Sequence, residues 1–194
     1  LTGGLGIDSF YANKANAFRK ADYVEKNDEL CSLARHNFAA LDAAIKVQHE
    51  TAEGYLQRCE TFDCFYLDPA RRDQYGSKTV SIADCTPNVA ELQDLLLQKA
   101  GQVMLKLSPM LDISRAMAEL RCVKEIHVVA VANECKELVF ILERGFEGRA
   151  EVNCVNLLTS QPEVRFTMEE ERFCPLRLAE GVGNYLYEPN VALL

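Results

Sequence analysis

Apolar and polar positions along the chain alternate in blocks that predict strands and helices in turn. Short apolar runs predict strands at Ala21–Glu25, Ile45–His49 and Phe62–Leu67. The third run is apolar on both faces, which is typical of a central strand in a parallel sheet. Between the first two runs, apolar residues at helical spacing predict a helix over Asn27–Leu41, with Asn27 as its N-cap.

The second half of the chain continues this alternation. Thr86 followed by Pro87 is typical of a helix start. That helix is predicted to run to Lys99–Ala100 and to stop at Gly101, where a left-handed cap fits. The elements predicted after it are a strand at Gln102–Leu107 and a helix that Asp112 caps and that runs to Leu120.

Two further strands are predicted at Ile126–Ala132 and Leu138–Leu142. Too few residues separate them for a parallel crossover, so we expect them to pair as an antiparallel hairpin. Glu151–Leu157 is predicted as an additional edge strand. The whole order predicts an α/β fold, a Rossmann-like doubly wound and mostly parallel sheet closed by an antiparallel hairpin.

The pattern also indicates how the chain is divided. We expect residues 1–160 to form the ligand-binding domain, and the more polar residues 161–194 to form a linker or lid that leads into a second domain. A glycine-rich turn opens the chain, and such a turn normally follows a strand, so we expect the first strand of the sheet to precede Leu1. The apolar run Val191–Leu194 likewise leads us to expect that the protein continues.

Net charge and cysteine spacing narrow the possible functions. The net charge is −8, whereas nucleic-acid binders usually carry a basic footprint, so any RNA affinity must come from a local patch or from another part of the protein. None of the eight cysteines forms a CxxC pair, so we expect no metal site and a reducing cytoplasm. No apolar run approaches the ~20 residues that span a bilayer. The sequence leaves the oligomeric state open.

The first candidate site combines the turn Thr2–Asp8 with Glu25. Glycines in the turn let the backbone approach a ligand closely, although similar turns also occur as plain strand–helix connections. Glu25 ends the next predicted strand, where an acidic side chain can bind both hydroxyls of a ribose. The alternatives for Glu25 are a solvated strand end or a salt bridge with Lys26 or Lys20.

The second candidate site follows the most apolar strand. Asp68 lies where the carboxyl end of a central strand meets the ligand crevice, and it can accept a hydrogen bond from a target amine. Pro69 would hold its carbonyl rigidly as a second acceptor, and Arg71 with Arg72 can bind a phosphate or carboxylate. The alternative is an Asp–Pro turn with solvated arginines. Two further residues at a strand end, Lys106 and Ser108, either line the substrate pocket or simply cap the strand.

Taken together, these motifs resemble those of class I S-adenosylmethionine (SAM)-dependent methyltransferases. LTGGLGIDSF resembles motif I, VEKND contains the acidic residue that follows it, and FYLDPARRD resembles motif IV. VANECKELVF and NYLYEPNVALL also resemble a bacterial group in which such a domain is joined to a THUMP-like domain. The resemblance covers nearly the whole chain. Class I methyltransferases reverse their last strand, which agrees with the predicted hairpin.

The resemblance implies a role for each motif. Glu25 would bind the ribose of SAM, and Glu50 or Thr51 would hold its adenine, although Thr51 stands where an acidic residue is usual. Asp68 and Pro69 would be the catalytic pair. Motif IV departs from the family pattern, because Ala70 replaces a second proline and Arg71 replaces the aromatic residue that stacks on a flipped base. The residues that would contact the methionine part of SAM are Thr2, Gly4, Gly6 and Asp8.

We therefore expect a SAM-dependent methyltransferase that transfers a methyl group to a nitrogen of RNA. The RNA substrate is implied by the resemblance and by the THUMP-like domain of the family, and the charge of this chain does not indicate it. Two alternatives stay open: a SAM-binding scaffold that has lost transfer, which the altered motif IV permits, and a nucleotide-dependent oxidoreductase with the same glycine turn. The sequence does not identify the methylated position.

Overall fold

The computed structural model describes residues 1–15, 18, 20–71, 81–175, 181, 183–185 and 189–193. The strands are β1 (Ala21–Glu25), β2 (Ile45–His49), β3 (Phe62–Leu67), β4 (Ala70–Arg71), β5 (Cys85–Thr86), β6 (Ala100–Leu107), β7 (Val123–Val131), β8 (Glu134–Glu143), β9 (Glu151–Leu157) and β10 (Val164–Thr167). The helices are α1 (Ile7–Lys14), α2 (Asp28–Ala40), α3 (Ala52–Arg58), α4 (Val89–Lys99), α5 (Ile113–Glu119) and α6 (Met168–Phe173), with 3-10 turns at Ile82–Asp84 and Val191–Leu193.

The central sheet has six strands in the order β10-β9-β7-β8-β6-β3. β3 is parallel to β6 and β7 is parallel to β9, whereas β8 runs antiparallel to both β6 and β7. A second, two-stranded parallel sheet joins β1 to β2. Strands β3, β6, β7 and β9 thus run in one direction and β8 and β10 in the other. The predicted α/β fold with a mostly parallel sheet and an antiparallel hairpin is therefore confirmed, and β8 lies between β6 and β7.

Helices pack on these sheets through two buried clusters. Leu56 of α3, Leu96 of α4 and Ala116 of α5 join Leu105 and Phe140 of the central sheet in one apolar core. Each buried leucine there contributes roughly 1.5–3 kcal/mol from removal of apolar surface from water. In the other cluster, α2 packs on the two-stranded sheet, and the ring of Phe38 on α2 contacts the ring of Tyr23 on β1 edge to face. Both clusters hold the carboxyl ends of the strands in fixed positions.

Three predicted details are wrong, each because pairing between distant segments overrides a local signal. Helix α4 begins at Val89, since the predicted start, Thr86, pairs with Ala70 across β4 and β5. Gly101 continues strand β6 directly after the helix instead of forming a left-handed cap. β9 is not an edge strand, because β10 pairs with its outer side.

Local capping signals, in contrast, are confirmed. The side chain of Asn27 accepts a hydrogen bond from the Leu30 amide, and that of Asp112 accepts one from the Arg115 amide. Beyond residue 160, β10 extends the central sheet and Ala192 is buried in its core. The division of the chain at residue 160 stays a prediction.

Candidate functional site

The glycine turn is fixed against β1 by its own backbone. The amides of Thr2 and Gly3 donate to the carbonyl of Val24 at 3.2 and 2.8 Å, and the Tyr23 hydroxyl donates to the carbonyl of Gly4 at 2.5 Å. Gly6 begins α1 with φ +79°, and a Cβ at this position would lie 2.7 Å from the ring of Phe38. Gly6 is therefore required for packing of the turn against α2.

Glu25 faces this turn from the end of β1. One carboxylate oxygen accepts from the Gly4 amide at 3.0 Å and the other from the Asn27 amide at 2.9 Å. A carboxylate oxygen can accept two hydrogen bonds, and each oxygen of Glu25 accepts one here. Each oxygen can therefore accept a hydrogen bond from one more donor. Gly4 has φ +54°, and a Cβ on it would meet no atom within 4 Å, so the turn is open on that side. The predicted pairing of the turn with Glu25 is therefore present.

Motif IV joins the same site through two contacts. The Asp68 amide donates to the Thr2 hydroxyl at 2.8 Å, which links the residue after β3 to the glycine turn. The Lys106 ammonium lies 2.8 Å from Asp68 Oδ2 and 3.1 Å from Asp8 Oδ2. The Tyr66 hydroxyl donates to the same Asp8 oxygen at 2.8 Å. One cation thus connects two carboxylates that belong to different elements.

Electrostatics stabilise the charged form of Lys106. Its side chain is 23 % exposed, and burial alone would lower the pKa of the ammonium. The hydrogen bonds to Asp68 and Asp8 outweigh this effect and hold the pKa of Lys106 above its usual value. The lysine is therefore protonated at neutral pH and has no lone pair with which to act as a base or a nucleophile.

A cavity of about 370 Å³ lies beside Asp68. Of the predicted residues, Pro69, Lys106 and Ser108 line it together with Asp68. Among the other lining residues, the polar side chains of Ser81, Lys136 and Glu137 were not predicted from the sequence. The latter two come from β8, and no local signal places that strand next to β6.

Ser81 is held at the cavity by Glu119 of α5. The Glu119 carboxylate accepts from the Ser81 hydroxyl at 2.8 Å, from the Ile82 amide at 2.9 Å and from Arg115 Nε at 3.2 Å. Burial alone would raise the pKa of Glu119, but these hydrogen bonds hold the pKa below its usual value. These hydrogen bonds fix the position of Ser81 in the lining of the cavity.

Other predicted residues lie in different surroundings. Glu50 pairs with Arg58 at 2.5 Å, and the Thr51 hydroxyl caps α3 by accepting from the Gly54 amide at 3.1 Å. Helix α3 was not predicted, because its seven residues are too few for a helical periodicity to stand out. The adenine-binding role of Glu50 and Thr51 stays a prediction.

Only the first of the two predicted arginines lies within the residues that the structure describes. Arg71 belongs to β4 through its backbone, and Arg72 lies outside the described residues. Among the residues that the structure does describe, no three His, Cys, Asp or Glu side chains are grouped to hold a metal ion. In the same part of the chain, every helix is too short or too polar to cross a membrane.

Comparisons with known proteins bear on the fold. The chain matches no protein-family model and no curated protein sequence. It is 36 % identical to a proposed methyltransferase of solved structure from Porphyromonas gingivalis W83, with a TM-score of 0.83. The match covers 100 % of this chain and 49 % of that protein, so this chain spans about half its length.

More distant likenesses are also found among solved structures. A conserved hypothetical protein from Streptococcus pyogenes is 14 % identical, with a TM-score of 0.52 over 77 % of this chain and 86 % of that one. An rRNA methylase from Streptococcus thermophilus is 12 % identical, with a TM-score of 0.48 over 74 % and 84 % of the two chains. The former supports the fold assignment alone, and the latter likeness is too weak to support a statement about this chain.

Proposed function

We propose that this chain is the catalytic domain of a SAM-dependent methyltransferase that transfers a methyl group to a nitrogen of RNA. The observation that carries the proposal is the meeting of the glycine turn, Glu25 and Asp68 in one site, joined by the Thr2 hydroxyl. The 36 % identity to a proposed methyltransferase over the whole of this chain supports the same class of activity.

The residues present fit the cofactor. The open side of Gly4 leaves room for a ligand against the backbone, and the two oxygens of Glu25 can each accept one ribose hydroxyl. Glu50 and Thr51 would hold the adenine. When bound, SAM supplies an electrophilic methyl group on a sulfonium. The residues proposed for its methionine part are Thr2, Gly4, Gly6 and Asp8.

Asp68 and Pro69 act on the acceptor. Asp68 Oδ2 is paired with Lys106, whereas Oδ1 has no partner among the described residues. That oxygen accepts a hydrogen bond from the acceptor N–H and leaves the nitrogen lone pair free for attack. The Pro69 carbonyl is the second acceptor. Methyl transfer by direct displacement depends on alignment more than on a strong base, so orienting the nitrogen is the main task of this pair.

Arg71 and Arg72 are proposed to bind substrate phosphate, since guanidinium groups pair with phosphate through two parallel hydrogen bonds. Lys106 and Ser108 border the acceptor cavity. With a net charge of −8, RNA affinity would come from a local basic patch or from another part of the protein, for which the THUMP-like domain of the resembling family is the candidate. RNA as the substrate rests on the sequence resemblance.

Calorimetric titration with SAM, followed by incubation with radiolabelled SAM and bacterial RNA, DNA or protein fractions, tests the proposed function. We expect binding of SAM and label in the RNA fraction. Asp68→Ala should keep the SAM affinity and lower transfer at least about 100-fold, because the acceptor is no longer oriented. The control is Asp63→Ala, an exposed carboxylate on β3, the strand that Asp68 follows, and this variant should behave as the native chain does. Loss of SAM affinity in Asp68→Ala would assign Asp68 to the cofactor instead.

The same experiment separates the alternatives. Stabilisation of the fold by NADH instead of SAM would favour an oxidoreductase, although the antiparallel β8 inside the sheet is unlike the all-parallel sheets of most dinucleotide-binding domains. Binding of SAM without label in any fraction would favour a non-catalytic scaffold, the candidate that Ala70 in motif IV keeps open.

A further inference from the structure

Besides lining the cavity beside Asp68, Lys106 connects two elements of the site. Its ammonium is the bridge between Asp68, which follows β3, and Asp8, in the first turn of α1. The two carboxylate side chains are 44 % and 49 % exposed, whereas the lysine is 23 % exposed. Lys106 is therefore the most buried of the three side chains, and the two more exposed carboxylates both contact its ammonium.

An ammonium has three protons, and two of them are used in these pairs. The third proton remains, but the two carboxylates already balance the charge of the ammonium and so weaken its attraction for a substrate phosphate. Asp8 is itself held from a second side by the Tyr66 hydroxyl, and Asp68 is tied through its amide to Thr2. Lys106 thus connects Asp8, which is proposed to bind the cofactor, with Asp68, which is proposed to bind the acceptor.

We infer that Lys106 is a positioning residue for methyl transfer: it fixes the Asp68 carboxylate to the start of α1 and leaves Oδ1 as the oxygen open to the acceptor. The inference rests on the proposed function and deepens it. Without the cation, two carboxylates would face each other with no charge between them, and like charges at short distance repel. Asp68 would then rotate into solvent, since nothing else among the described contacts holds its side chain.

The test compares Lys106→Met and Lys106→Arg with the native chain. The matched control is Lys124→Met, because Lys124 forms a similar 2.7 Å ion pair with Glu143 away from the site. The measurements are the Kd for SAM by calorimetry, kcat and KM with total bacterial RNA at saturating SAM, and the Tm. If Lys106→Met fails to fold, Lys106→Gln, which keeps a hydrogen-bond donor without the charge, replaces it.

We expect Lys106→Met to lower kcat by about 100-fold, the typical loss when a reacting group is misplaced by about 1 Å. The Kd for SAM should change by no more than about fivefold, since partly exposed ion pairs contribute little to affinity. Lys106→Arg should restore part of kcat, because a guanidinium can bridge two carboxylates. Lys124→Met should leave kcat and Kd unchanged.

Three results would overturn the inference. An unchanged kcat in Lys106→Met would exclude positioning, a raised KM for RNA with native kcat would make Lys106 a substrate contact, and a raised Kd for SAM with native kcat would make it a cofactor contact. Failure of the proposed function looks different, because then the native chain itself neither binds SAM nor labels RNA.

Discussion

The open side of Gly4 gives the sharpest prediction about cofactor binding. Gly4 has φ +54°, and a Cβ at this residue would touch nothing within 4 Å. Gly145, in the connection after β8, has φ +75° and an equally open surrounding, but it lies far from the site in the fold. Alanine at either position costs about 1–2 kcal/mol of stability, the usual penalty for a left-handed residue with a side chain.

The two variants should differ in SAM binding. If the cofactor lies against the Gly4 backbone, the added methyl group overlaps it, and overpacking of this size costs about 1–3 kcal/mol. That corresponds to a Kd for SAM about 5- to 150-fold higher in Gly4→Ala than in the native chain. Gly145→Ala should bind SAM with native affinity. Calorimetric titration and urea unfolding of both variants provide the measurement, and equal Kd values for the two would show that the open side of the turn faces only solvent.

Three other variants test the proposed ribose contact of Glu25, the hydrogen bonds of Glu119 to Ser81 and Ile82, and the apolar core. Glu25→Gln should weaken SAM binding about 10- to 100-fold, because it removes charged acceptors, whereas Glu29→Gln, exposed on α2, should have no effect by calorimetry. Burial alone would raise the pKa of Glu119, but its hydrogen bonds hold that pKa below its usual value. The ionised carboxylate therefore stabilises the fold at neutral pH, and this contribution is lost as pH falls through the lowered pKa. Urea unfolding should therefore show Glu119→Gln about 1–3 kcal/mol less stable at pH 7 and a smaller deficit in acid; an equal deficit at both would contradict this. Leu105→Ala, at a fully buried position, should cost about 2–5 kcal/mol of unfolding free energy, and Met104→Ala on the exposed face of the same strand should cost clearly less.

How far the sequence predicts the fold depends on how local each signal is. The bounds of β1, β2 and β3 agree with the apolar runs, and the caps at Asn27 and Asp112 form as predicted. In these cases the residues that decide the structure are neighbours in the chain, so propensity and capping act without help from the rest of the molecule.

The errors lie where distant segments compete for the same backbone. Thr86 has the properties of a helix start, yet its pairing with Ala70 delays the helix to Val89. The sequence of β9 predicts an edge strand, yet β10 pairs with its outer side. Long-range pairing supplies backbone hydrogen bonds that no local preference contains, and it overrides weak propensities.

The candidate site divides in the same way. Its chemical parts, the glycine turn, Glu25 and Asp68, are motifs that the sequence determines by itself, because residue type and position at a strand end limit the chemistry. Only the tertiary structure decides that Lys106 bridges Asp8 and Asp68, and that Lys136 and Glu137 border the cavity beside Asp68. The reason is physical: β8 pairs beside β6 in the sheet because its apolar residues are buried in the core, and this burial brings together polar residues that lie far apart in sequence.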